Sequence, residues 1–166
     1  MFGYKKMDRP LLDTAFERIL VCPLDKFGDA WTQPEQIRQW WAPSPAIVSA
    51  CELDLREGGG FQVETQEPDG AISQFRACFV EVVPKEKLVW TNVLTTDYRP
   101  VASDTVGKDF VAATTRLRLH SVHDRTRLTL EILHGSRAER GLQEKSGVYT
   151  RWRTSLEQML ALVQAP

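Results

Sequence analysis

The sequence predicts an α+β domain: a curved antiparallel sheet of about six to seven strands wrapped around a long C-terminal helix, with two short helices after strand 1. Three observations predict it. Hydrophobicity alternates with period two from residue 46 to residue 133. A proline-punctuated stretch of helical spacing separates that run from one earlier strand. The chain closes on an apolar stripe repeating at three and four residues, the pattern of a helix with one buried face.

The elements follow in order. "TAFERILVCP" (14–23) alternates Phe16, Arg18 and Leu20 against Glu17, Ile19 and Val21 and stops at Pro23, which reads as a strand. "LDKFGDAWTQ" carries Leu24, Phe27 and Trp31 at helical spacing, with Asp25 available as a cap. A second helix restarts at Pro34; Thr32 and Glu35 have the spacing of a capping box, and Pro43 and Pro45 end it. Then "AIVSACELDL" leads into the glycines of "REGGGF", and "FQVETQ" ends at the turn "PDG". "ISQFRACFVEVVP" and "KLVWTNVL" join at "PKEK". After the polar stretch "TTDYRPVASDTVGKD" come "FVAATTRLRLHSV" and "RTRLTLEIL", joined at "HDR". All links but that polar stretch are short, which predicts antiparallel neighbours. Leu142, Tyr149, Trp152, Leu156, Met159, Leu160 and Val163 form the stripe of the last helix, with Arg151, Arg153, Glu157 and Gln158 on its other side. Residues 1–13 are set apart as an N-terminal extension and 14–166 as one domain.

Composition narrows the function. Hydrophobic residues make up 42% and charged residues 26%, a globular balance. The net charge is −1 and no basic run stands out, which argues against nucleic acid or an anionic membrane as the main partner. No apolar run reaches the length of a bilayer span, and "MFGYKKMDRP" has no apolar core of an export signal. Cys22, Cys51 and Cys78 form no CxxC pair and no disulfide framework, so a reducing cytoplasm is expected. His120, His123 and His134 lack the spacing of metal ligands, and neither a metal nor another cofactor is expected.

"AWTQPEQIRQWWAP", with its tryptophan-threonine, proline and paired tryptophans, resembles a motif of the family of activators of heat-shock protein 90 ATPase. So do "CELDLREGGGFQV", the "PDG" that follows, "VEVVPKEKLVWT", and the leucine ladder of "GVYTRWRTSLEQMLALV". The five motifs occur in the family's order, from about Phe16 to Val163. That family is a branch of the START-like helix-grip superfamily (SRPBCC, polyketide cyclase-like), so the resemblance implies a helix-grip fold. It implies activity far less, because such folds host unrelated functions. Two positions depart from the pattern. Arg151 precedes Trp152 where branch members often have glycine, and Gln143 follows His134 where some members carry a second histidine.

Several residues are candidates for a site. Consecutive helical residues point about 100° apart, so Trp40 and Trp41 divide: one ring anchors the short helices, and the other, Trp41 by preference, stands at a cavity mouth. Phe75 shares a strand face with Phe79, and Trp90 with Asn92; if those faces look inward, they build an apolar chamber with Tyr149, Trp152 and Leu156. Asn92 and the Tyr149 hydroxyl would be its polar handles. Tyr98 and Arg99, in the one long connection, are placed to cap the chamber, with Arg99 meeting a ligand carboxylate. "DLREGGGF" lacks the lysine and hydroxyl residue of a phosphate loop and reads as a turn, with Arg56 paired to a carboxylate.

Three functions follow. The first is a cytoplasmic domain that binds a hydrophobic or aromatic small molecule between sheet and C-terminal helix. The second is a polyketide cyclase or dehydratase-like enzyme acting in that cavity, for which His134, Tyr149, Glu64 and Glu81 are the acid–base candidates. The third is a chaperone-associated partner protein. A homodimer is possible for each, since two-fold assembly is the commonest kind.

Overall fold

In the computed structural model, which describes residues 11–166, the alternating run becomes a single large sheet. The chain runs β1 (Asp13–Leu20), α1 (Leu24–Thr32), α2 (Pro34–Trp40), β2 (Ile47–Leu53), β3 (Gly60–Gln66), β4 (Ile72–Val83) and β5 (Lys87–Thr91). A small ribbon of β6 (Leu94–Thr95) and β7 (Arg99–Pro100) follows, then β8 (Ala113–Val122), β9 (Arg125–His134), α3 (Arg137–Lys145) and α4 (Val148–Gln164). The seven main strands take the order β1-β9-β8-β5-β4-β3-β2, every pair antiparallel. The expected N-terminal extension, 1–13, lies outside the described residues up to residue 10, and Asp13 already belongs to β1.

Pairing in register sorts the inward residues into rows across the sheet. Leu88, Leu117, Leu130 and Phe16 make one row, and Phe79, Trp90, Thr115, Ile132 and Thr14 the next. Phe27 and Trp31 of α1, Ile37 and Trp40 of α2, and Leu156, Met159, Leu160 and Val163 of α4 pack on this face. All are buried, and each such side chain contributes about 1.5–3 kcal/mol relative to exposure.

The two short helices break where proline dictates, though not with the expected cap. α1 continues through Thr32, whose hydroxyl donates to the Gly28 carbonyl at 2.8 Å. Gln33 takes the extended backbone that a following proline favours (φ −108°, ψ 122°), so the joint falls there and no side chain caps α2. Asp25 likewise caps nothing; it pairs with Lys85 at 2.7 Å.

The glycines of "REGGG" form a structural loop. The Gly58 amide donates to the Phe79 carbonyl and the Gly59 amide to the Arg56 carbonyl, so neither is open to an anion. A Cβ at Gly59 would stand 1.9 Å from the Asp54 carbonyl oxygen. Arg56 pairs with Asp54 (2.8 Å) and Asp97 (3.2 Å).

The expected last helix is two helices. Gly147, at φ +78°, takes the left-handed turn that glycine accepts without strain, and it separates α3 from α4. Ser136 caps α3 by accepting from the Glu139 amide, a serine–glutamate capping pair that the leucine stripe overshadowed in the sequence. Leu142 therefore leaves the α4 stripe and is exposed on α3.

Candidate functional site

The stripe of α4 is fully buried only from Leu156 onward; Tyr149 and Trp152, a turn or two earlier, are half-buried. The N-terminal half of α4 thus stands off the sheet, and a recess of about 390 Å³ opens between them. Four aromatic side chains from four elements reach it: Trp41 after α2, Phe75 of β4, Trp90 of β5 and Trp152 of α4. The Trp41 ring centre lies 5.0 Å from that of Phe75 and 5.2 Å from that of Trp152. Thr65, Thr115 and Ile132 continue the sheet wall, and Gln143 and Ser146 close the α3 end.

The tryptophan pair divides as helical geometry requires. Trp40 is buried, with its Nε1 donating to the Ala30 carbonyl at 2.8 Å. Trp41 turns to the recess and is held from behind. Ser155 Oγ donates to the Trp41 carbonyl at 2.7 Å. Gln158 Nε2 donates to the carbonyls of Trp40 (2.9 Å) and Ala42 (2.8 Å), while its Oε1 accepts from the Ser44 amide (2.8 Å). Helical spacing puts Gln158 on the side of the helix away from the apolar stripe. Helical spacing shows which face a residue occupies; it does not show that a glutamine will reach round to a neighbouring corner.

Most polar groups of the wall already have partners. Asn92 faces the recess, but its Nδ2 donates to the Val111 carbonyl (2.8 Å) and its Oδ1 accepts from the Ala113 amide (2.9 Å). It prolongs the β5–β8 pairing by side chain and is no free handle. Arg151 pairs with Glu67 at 3.0 Å, tying α4 to the β3–β4 turn.

Other predicted residues lie elsewhere. Phe79 is buried below the recess, its ring stacked on Phe61 at 5.3 Å, because it points inward two rows deeper than Phe75, past Ala77. Leu156 is likewise core, past the point where α4 meets the sheet. Tyr98 and Arg99 do not cap the cavity. The long connection folds back as the β6–β7 ribbon, which sets Tyr98 against Gly58 and leaves Arg99 exposed.

The acid–base candidates are scattered. Glu64 and Glu81 lie on the opposite sheet face: Glu64 accepts from Ser49 (2.7 Å) and Gln74 (3.2 Å), and Glu81 pairs with Lys87 (2.7 Å). The hydrogen bonds from Ser49 and Gln74 hold the Glu64 carboxyl below its ordinary range. Tyr149 turns from the recess toward β1 and β9, with its hydroxyl 3.5 Å from His134 Nε2, and burial pushes its phenol up. His134 is buried; its Nδ1 lies 2.9 Å from the Leu12 carbonyl oxygen and its Nε2 2.8 Å from the Gln143 amide head. Gln143, read in the sequence only as a missing histidine, thus joins this cluster to the recess. Among the described residues, no three His, Cys, Asp or Glu side chains gather to hold a metal, and no helix is long and apolar enough to cross a membrane.

The family model of Activator of Hsp90 ATPase homolog 1-like proteins matches residues 22–164. The chain belongs to this family. Within the Activator of Hsp90 ATPase homolog 1-like fold, solved structures align over nearly its whole length. NE0264 from Nitrosomonas europaea is 30% identical, with a TM-score of 0.83 over 93% of this chain and 96% of its own. Ms6760 from Mycobacterium smegmatis is 18% identical, with a TM-score of 0.76 over 98% and 97%. CalU16 from Micromonospora echinospora is 20% identical, with a TM-score of 0.59 over 99% of this chain and 84% of its own. No curated protein matches. The span matched by the family model contains the whole wall of the recess, from Trp41 to Ser155.

Proposed function

We propose that this chain binds a small hydrophobic or aromatic molecule in the recess between the sheet and the N-terminal half of α4. One observation carries the reading: four large aromatic side chains from separate elements line a space of about 390 Å³. That volume lies within the range of small-molecule sites. An aromatic lining with its polar groups largely committed to the protein favours a ligand held by shape and burial. The separation of Glu64 and Glu81 from the recess favours binding over acid–base turnover there.

The test is a titration of the purified protein with fatty acids, flavonoids and small aromatic polyketides, followed by tryptophan emission. Saturable quenching by at least one compound is expected, with an affinity about tenfold weaker in Trp152→Ala, a loss of about 1.4 kcal/mol. A folded protein that responds to none of them overturns the reading.

A further inference from the structure

Resting on the reading that the recess holds an aromatic molecule, we infer that Gln143 selects ligands that donate a hydrogen bond, phenols above all, because His134 sets which end of its amide faces the cavity. The polar wall is largely committed: Asn92 to the backbone of 111–113, Arg151 to Glu67, and Ser155 to the Trp41 carbonyl. The Gln143 head makes one hydrogen bond, to His134, and its other atom has no partner among the described residues.

The ring of His134 decides the orientation. Its Nδ1 faces the Leu12 carbonyl, which can only accept, so Nδ1 carries a hydrogen. The ring is 7% exposed and touches Leu12 ahead of β1, Gln143 of α3 and Tyr149 of α4, with Ala113 beside it on β8. The charged groups nearby, Arg140 and Glu144 of α3, act on the Tyr149 hydroxyl. Among the described residues no carboxylate contacts the ring, and an unpaired buried charge is costly. The ring is therefore neutral and offers only a lone pair at Nε2.

That lone pair requires a donor. The Gln143 oxygen stands 2.8 Å from Nε2, and a half-turn of the amide exchanges it for the NH2 group with almost no change of shape. Turned to satisfy His134, the amide gives its NH2 to Nε2 and its oxygen to the cavity. A ligand hydroxyl donates to that oxygen. An ether or ketone in the same place sets oxygen against oxygen. The Thr115 hydroxyl, which both donates and accepts, favours neither.

The test is calorimetry of the full chain with three probes of one shape: 2-naphthol, 2-methoxynaphthalene and naphthalene. Hydrophobicity alone ranks the ether above the phenol. The expected result is the reverse, 2-naphthol binding at least about tenfold tighter than the ether, with the preference erased in Gln143→Leu. Equal affinities, preference for the ether, or a preference that survives Gln143→Leu overturns the inference and leaves the cavity reading standing. No binding of any probe, naphthalene included, by a folded protein overturns the inference, and it overturns the cavity reading as well when the fatty acids, flavonoids and polyketides of the emission titration also fail to bind. Independently of any variant, nitrogen-15 NMR of the imidazole should show Nδ1–H with bare Nε2; a ring protonated at both nitrogens overturns the inference.

Discussion

Asn92 has the look of a ligand handle, an amide on the face of an aromatic recess, yet both ends of that amide are bound to backbone. Its loss should be felt in stability more than in affinity. Asn92→Ala leaves the Val111 carbonyl and the Ala113 amide without their partner, a cost of about 1–3 kcal/mol, readable as a lowered denaturation midpoint. Glu64 carries a pH signature. Its folded carboxyl titrates below the ordinary range because Ser49 and Gln74 donate to the ionised form. That contribution is present above the ordinary glutamate value of about 4.3 and is lost as pH falls through the lower folded value. Ser49→Ala should move the Glu64 titration, followed by NMR, back upward and shrink the loss of stability in acid. These two residues also mark what the sequence tells. Period two puts Trp90 and Asn92 on one face and shows nothing of where their hydrogen bonds go. Trp41 was legible because two adjacent aromatics on a helix cannot share one direction. Gln143 and Gln158 were not, since a glutamine acquires its role from atoms distant in the chain.

The helices illustrate the same limit one level up. Alternation and proline positions locate seven strands and two short helices, since these patterns record which face is buried and where the backbone cannot continue. Periodicity also ran straight through Gly147, because the α3 and α4 patterns are nearly in phase across it. Only the left-handed turn at that glycine separates them. Gly147→Ala should cost about 1–2 kcal/mol, seen in thermal melting. A fused helix of unchanged stability would contradict the turn's role. Gln158 acts on the same helix as a clamp on the Trp40–Ser44 corner. Gln158→Ala removes three hydrogen bonds. We expect a loss of about 1–2 kcal/mol and weaker ligand binding, since Trp41 loses its support. Gln158→Glu keeps the acceptor for the Ser44 amide and sets a carboxylate against two carbonyls, so it should not rescue.

At the scale of the molecule, the first strand closes the sheet against the last. β1 pairs with β9 along its whole length, Asp13 with Leu133 through Leu20 with Thr126. Contacts so distant in sequence slow folding, because loop closure precedes any gain from pairing. Refolding in milliseconds to seconds is expected, and removal of β1 should bare the β9 edge and lead to aggregation. A truncated chain that stays soluble and binds as before would show that β1 is dispensable.

All five tryptophans form one connected group. Trp31 lies 4.6 Å from Trp40, 5.9 Å from Trp90 and 6.3 Å from Trp152, and Trp41 lies 5.6 Å from Trp40 and 5.2 Å from Trp152. At such separations excitation migrates among indoles faster than it is emitted. Light absorbed by Trp31 or Trp40, sealed in the core, therefore leaves through whichever ring a bound molecule touches. One ligand beside Trp152 darkens the whole set. The depth of quenching then says that the recess is occupied, and only the affinities of single-ring variants say which wall the ligand rests on.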